Sequence, residues 1–243
     1  MLLTPGIMAA AENSPVYELR TYTATPGRLH DVLARFRDHT IAIFARHGIV
    51  SVAYWVTLDA KDGAGEKLVY LLRHPSREAA VANWAAFQAD PAWQAAKKAS
   101  EVTGKIVAKA ESLFLGPADY SPPVAIEAGP GAPRVFELRI YTTPEGKLPA
   151  LDARFRHPER DYFVRHGMME VGYFHPLDAD TGAGHTLVYI VAHASREAAT
   201  ASWLGFRADP DWVALKANTE KDGALTSKVE SIFLAPTAFS PLR

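Results

Sequence analysis

Two short runs, "YELRTY" with Glu18, Arg20 and Tyr22 and "FELRIY" with Glu137, Arg139 and Tyr141, place a carboxylate, a guanidinium and a phenol at every second position. On a strand that spacing puts all three side chains on one face. The set offers a proton acceptor beside two donors, which suits general acid–base catalysis or capture of a small molecule. If the face is buried, an unpaired ion costs several kcal/mol, roughly, so the groups must pair, hold water or hold a ligand. A Glu–Arg network kept for structure alone is the plainer use of the same residues.

His47 and His166 each stand in an "RHG" triplet at the end of a helical pattern. A cationic imidazole suits a helix C-terminus, and the same ring exchanges protons near neutral pH. Glu170 and His175 take the places of Ser51 and Val56. They are expected on opposite faces of their strand, so that at most one of them points inward; a single pocket is expected in the second half, with Glu170 joining Glu137 and Arg139.

Several chemistries are excluded or disfavoured by composition. The chain of 243 residues has 26 basic and 27 acidic side chains and a net charge of −1, without a cationic footprint for nucleic acid. It has no cysteine, hence no thiolate nucleophile and no sulfur-ligated metal. None of the nine histidines falls in an H-x-H or H-E-x-x-H arrangement, so no zinc site is expected. "DADTGAG" from Asp178 has glycine at its fifth position and no Glu at its twelfth, which makes it a hairpin turn and not a calcium loop. No run approaches the ~20 apolar residues of a membrane span. A soluble cytoplasmic protein, monomer or homodimer, is expected.

The elements that carry these residues come in two copies. An offset of 119 positions superposes "VYELRTY" on "VFELRIY", "SREAA" on itself and "ADPAW" on "ADPDW" without a gap. The expected organisation is an N-terminal tail (1–15), a first domain (16–116), a Pro-rich linker (117–134) and a second domain (135–243). Each copy reads strand, helix, strand, strand, helix, strand. Ser76 is expected as an N-cap, and Gly48 as the left-handed residue closing the first helix. That βαββαβ order is the ferredoxin-like arrangement, an antiparallel sheet with helices on one face. Two such halves bury their bare faces against each other. The fold class is therefore α+β, two tandem ferredoxin-like domains paired sheet to sheet. Tyr17, Leu19 and Thr21 are expected under the helices, and Glu18, Arg20 and Tyr22 in the seam between the sheets. Pro158, where the first copy has His39, is expected to kink or break the first helix of the second copy.

"VYELRTYTATPGRLHDVLARF", the "RHG" helix end, "DPAW" and "ESLFLGPADYSP", with their second-copy counterparts "VFELRIYTTPEGKL", "DPDW" and "ESIFLAPTAFSP", resemble the NIPSNAP family. The resemblance spans both copies and implies a dimeric α+β barrel built within one chain. Relatives by fold include haem-handling enzymes, cofactor-independent monooxygenases and small isomerases, so the site must decide the function.

The expected function is binding of a small apolar or aromatic molecule in a polar-lined interior pocket, with acid–base or cofactor-independent oxygenase or isomerase chemistry. Glu137, Glu170 and His166 are the catalytic candidates. Glu18, Arg20, Tyr22, His47, Trp55, Arg139, Tyr141 and Phe174 are the ligand-binding candidates. No cofactor is required by the sequence. The alternatives are an adaptor whose outer helices dock a protein, and a haem-binding protein with a histidine ligand. The six aromatics Trp84, Phe87, Trp93, Trp203, Phe206 and Trp212 are read as core filling.

Overall fold

Gly48 and Gly167, at φ of 70° and 79°, close the first helical region of each copy and turn the chain into the next strand, as expected of left-handed caps. In the computed structural model, which describes residues 15–125 and 133–243, both copies then lay down the same elements. The first runs β1 (Val16–Ala24), α1 (Leu29–Arg35), a π turn (Phe36–Thr40), α2 (Ile41–Arg46), β2 (Val50–Thr57), β3 (Lys67–His74), α3 (Arg77–Ala89), α4 (Pro91–Ser100) and β4 (Val107–Pro117). The second runs β5 (Val135–Thr142), α5 (Leu148–Arg154), a π turn (Phe155–Glu159), α6 (Arg160–Arg165), β6 (Met169–Pro176), β7 (Thr186–His193), α7 (Arg196–Ala208), α8 (Pro210–Thr219) and β8 (Lys228–Pro236). Residues 1–14 of the expected tail and 126–132 of the expected linker lie outside the described residues.

Eight antiparallel strands close a barrel in the order β1-β3-β2-β8-β5-β7-β6-β4. Within each half the ladders are long, β1 with β3 and β5 with β7 pairing over eight residues. The halves meet through two short ladders, Trp55–Thr57 with Leu234–Pro236 and Leu115–Pro117 with Phe174–Pro176. The chain leaving each seam folds over the opposite half. Tyr120 packs on Tyr173, and Phe239 on Tyr54, at ring separations of 5.7 and 5.6 Å.

The two faces of β1 and β5 are the reverse of the sequence expectation. Tyr17, Leu19, Phe136 and Leu138 fill the barrel interior with Trp55, Val69, Val171 and Phe174. Glu18, Arg20 and Tyr22, with Glu137, Arg139 and Tyr141, face the helices instead, beside Trp84 and Trp203. The alternation was right and the assignment of faces wrong because both faces are buried. The interior is enclosed by strands on every side and admits no helix donors, so a charge there would lack the partners that the helices supply outside. Apolar rings there gain roughly 1.5–3 kcal/mol each. The expected polar lining of the interior is thus corrected to a packed apolar core, and the polar groups lie outside the sheet.

Strands β2 and β6 each carry a bulge, at Ser51/Ala53 and Glu170/Gly172. One extra residue flips the face of everything after it. Glu170 and His175 therefore share the helix side, contrary to expectation, while Val171 and Phe174 both face inward. The helix interruption expected in the second copy is present: His157 is extended at φ −166° and ψ 130°, and a cis peptide bond joins it to Pro158. The first copy has a π turn at the same place without proline. No helix among the described residues is long and apolar enough to cross a membrane.

Candidate functional site

The alternation of β5 sets Glu137 and Arg139 side by side, and the fold brings three further donors to the carboxylate. Oε1 accepts from Arg139 Nη1 at 2.5 Å and from Ser231 Oγ at 2.6 Å. Oε2 accepts from Trp203 Nε1 at 2.6 Å and from His193 Nε2 at 3.1 Å. Ser231 lies opposite Arg139 on β8, and Trp203 reaches down from α7. The first half repeats the arrangement around Glu18, with Arg20, Ser112, Trp84 and His74 at 2.5, 2.6, 2.6 and 3.1 Å. Burial alone would raise both carboxyls. The imidazole, guanidinium, hydroxyl and indole donors outweigh it, and each is held at about 2. A carboxylate with its lone pairs filled is a weak base at neutral pH. Its chemical effect is to fix Arg139, whose guanidinium stacks 4.2 Å from the Trp203 ring.

Arg139 differs from its twin in one contact. Arg20 Nε donates to Tyr70 at 2.9 Å. Arg139 donates from Nη2 to Tyr141 at 3.0 Å, and its Nε is buried without a partner. Above this point a cleft of about 260 Å3 opens between α7 and β8. Arg196, Thr200, Trp203 and Arg207 recur along one face of α7 and line it with Arg139 and Phe233. Arg196 lies flat on Phe233, 3.4 Å from the ring centroid. Its Nη2 donates to Asp59 of the other half at 2.9 Å, while Nη1 is buried without a partner. Arg207 has no ion-pair partner among the described residues. The matching positions in the first half are Val81 for Thr200 and Gln88 for Arg207.

The other expected site residues are distributed over both layers. Trp55 and Phe174 sit in the interior, 5.3 Å from Phe136 and 5.0 Å from Tyr17, and Trp55 Nε1 has no partner there. Tyr22 packs against Phe36 and Tyr70. His47 and His166 bond to Asp90 and Asp209 at 2.8 and 2.7 Å, and these aspartates cap α4 and α8. The histidines thus tie the ends of α2 and α6 to the starts of α4 and α8. Glu170 bonds to Arg160 at 2.5 Å, and His175 approaches Asp152 at 3.1 Å. Val191 of β7 stands between Glu170 and Glu137 in register, about 10 Å across two strand spacings, so the expected grouping of Glu170 with Glu137 is not formed. Among the described residues no group of His, Asp and Glu is arranged to hold a metal.

Sequence reasoning passed over Arg196, Thr200 and Arg207. Comparing the halves along the second helical region at the same offset marks Thr200 and Arg207 as private to the second copy. It passed over Glu159 too, where the first copy has Thr40. Burial pushes that carboxyl up to about 7 against the pull of Arg154, which donates to it at 2.8 Å.

The NIPSNAP family model matches residues 17–122 and 136–241. A candidate monooxygenase from Lactobacillus acidophilus has the same fold at 14% identity and a TM-score of 0.56, over 92% of this chain and 94% of its own. An anthrone oxidase-like protein matches at 16% identity and 0.58, over 95% of each chain. A NIPSNAP-like domain protein from Burkholderia xenovorans is 21% identical with a TM-score of 0.41, over 49% of this chain and 97% of its own. No curated protein matches. Two consecutive matches to one family model, spanning both halves of the barrel and both Glu–Arg–Trp networks, place this chain in the NIPSNAP family.

Proposed function

We propose that the protein binds a small organic acid, aromatic or apolar apart from its acidic group, in the second-half cleft between α7 and β8. The observation that carries the reading is the charge count there. Arg139, Arg196 and Arg207 line the cleft, and its one carboxylate, Glu137, already accepts from four donors. Asp59 engages one nitrogen of Arg196 and leaves another without a partner. A carboxylate or similar anion supplies the acceptor that Arg207 lacks. Trp203 and Phe233 give flat apolar walls for the rest of the molecule. Glu137 and Arg139 serve as a fixed anchor, since the saturated carboxylate is poorly suited to take a proton. The monooxygenase and anthrone oxidase-like neighbours share the barrel, and on that likeness oxygenation is the first reaction to assay once a ligand is in hand.

Isothermal titration with benzoate tests the reading. Replacing Arg207 by glutamine, the residue of the first half, removes a charged hydrogen-bond donor worth about 1.5–3 kcal/mol. Affinity should fall at least about tenfold in Arg207→Gln with the fold intact. Equal binding by both proteins, or no binding of benzoate by either, would remove the cleft as an acid site.

A further inference from the structure

Arg207 lines a second and larger cavity, about 470 Å3, between the end of α7 and the face of α8 that carries Trp212, Val213, Lys216 and Ala217. Its volume lies within the roughly 300–1,000 Å3 usual for small-molecule pockets. Three substitutions between the halves shape it. At the equivalent place in the first half Gln88 Oε1 accepts from Trp93 Nε1 and the Gln88 backbone carbonyl accepts from Gln94 Nε2, both at 3.3 Å. The second half has Arg207 for Gln88, Val213 for Gln94 and Ala217 for Lys98. A polar clasp is replaced by one cation at the mouth and an apolar wall beyond it. Val213 is left 54% exposed, and the wall follows α8 from Trp212 to Glu220 for about 12 Å at 1.5 Å per residue. Lys216 is already paired with Glu220 along the same helix, so the unmatched charge of the groove is that of Arg207.

Building on the cleft reading, we infer that the ligand is an elongated amphipathic acid. Its anionic head lies in the cleft at Arg207, and its apolar chain runs past Arg207 along Trp212, Val213 and Ala217. The shared guanidinium sets the order of the two parts, head toward β8 and chain toward α8. A chain covered on one side by α8 gains about twofold in affinity per methylene, half the free energy of full burial.

Titration with butanoate, octanoate and octan-1-ol separates the possibilities. Octanoate should bind at least about tenfold tighter than butanoate and than octan-1-ol. That gap between the acids should shrink in the double variant Val213→Gln, Ala217→Lys, which restores the first-half residues at two exposed positions. Equal affinity for butanoate and octanoate, an undiminished gap in the double variant, or octan-1-ol matching octanoate would overturn the groove assignment. The first two of these results leave the cleft as an acid site. Absence of benzoate binding removes both readings.

Discussion

Glu137 accepts four hydrogen bonds while almost wholly buried, and this ties the stability of the fold to its ionisation. Its carboxyl, like that of Glu18, is held at about 2 in the folded protein against an ordinary 4.5. A folded value below the unfolded one means stability that is complete above pH 4.5 and lost as pH falls from there toward 2. Melting temperature followed by circular dichroism should therefore drop steeply in that window. In Glu137→Gln the loss at acid pH should be shallower, and stability at pH 7 lower by about 3 kcal/mol, because Arg139 is then buried beside a neutral group. An unchanged acid profile in the variant would show that the carboxylate is not the group titrating. The Glu–Arg pairing was legible in the sequence, since two residues on one strand face must meet. Ser231, His193 and Trp203 were not, because they arrive from positions 94, 56 and 66 residues away and only the closed sheet sets them there.

At the scale of elements, order and type were readable and facing was not. Ser76 and Ser195 cap α3 and α7 through Ala79 and Ala198, and the strands fall where alternation put them. A strand buried on both sides gives no polarity signal to tell interior from helix layer, and the faces of β1 and β5 are accordingly the reverse of the expectation. The bulge in β6 was equally silent, yet it decides where Glu170, His175 and Phe174 point. Gly172 shows how tightly that bulge is packed. A methyl group there would stand 2.6 Å from the tip of the Phe174 ring and 3.1 Å from Val124. Phe174 is fully buried and has nowhere to retreat. Gly172→Ala should cost about 1–3 kcal/mol, measured as a lowered urea midpoint with an unchanged slope. The first half carries Ala53 at the same place beside Trp55, so the penalty comes from the Phe174 ring position and not from the bulge as such. Full stability in the variant would refute that account.

At the scale of the whole molecule, the interior belongs to neither half. Tyr17, Leu19 and Trp55 face Phe136, Leu138 and Phe174 across a seam whose strands pair over only three residues on each side. Pulling the halves apart would expose every one of those side chains, so neither half has a reason to persist once the other is lost. Scanning calorimetry should record a single transition with equal calorimetric and van't Hoff enthalpies. Two resolved transitions would mean that each half carries a sufficient core of its own.

The ring pairs in the seam are unlike: tyrosine meets phenylalanine on one side, tryptophan meets phenylalanine on the other. In a symmetric assembly of separate subunits any altered side chain enters twice, and every change in bulk is doubled. Here a substitution enters once. Fusion into one polypeptide thus lets the filling of the barrel be adjusted by single side chains, and lets one flank specialise without its sister following.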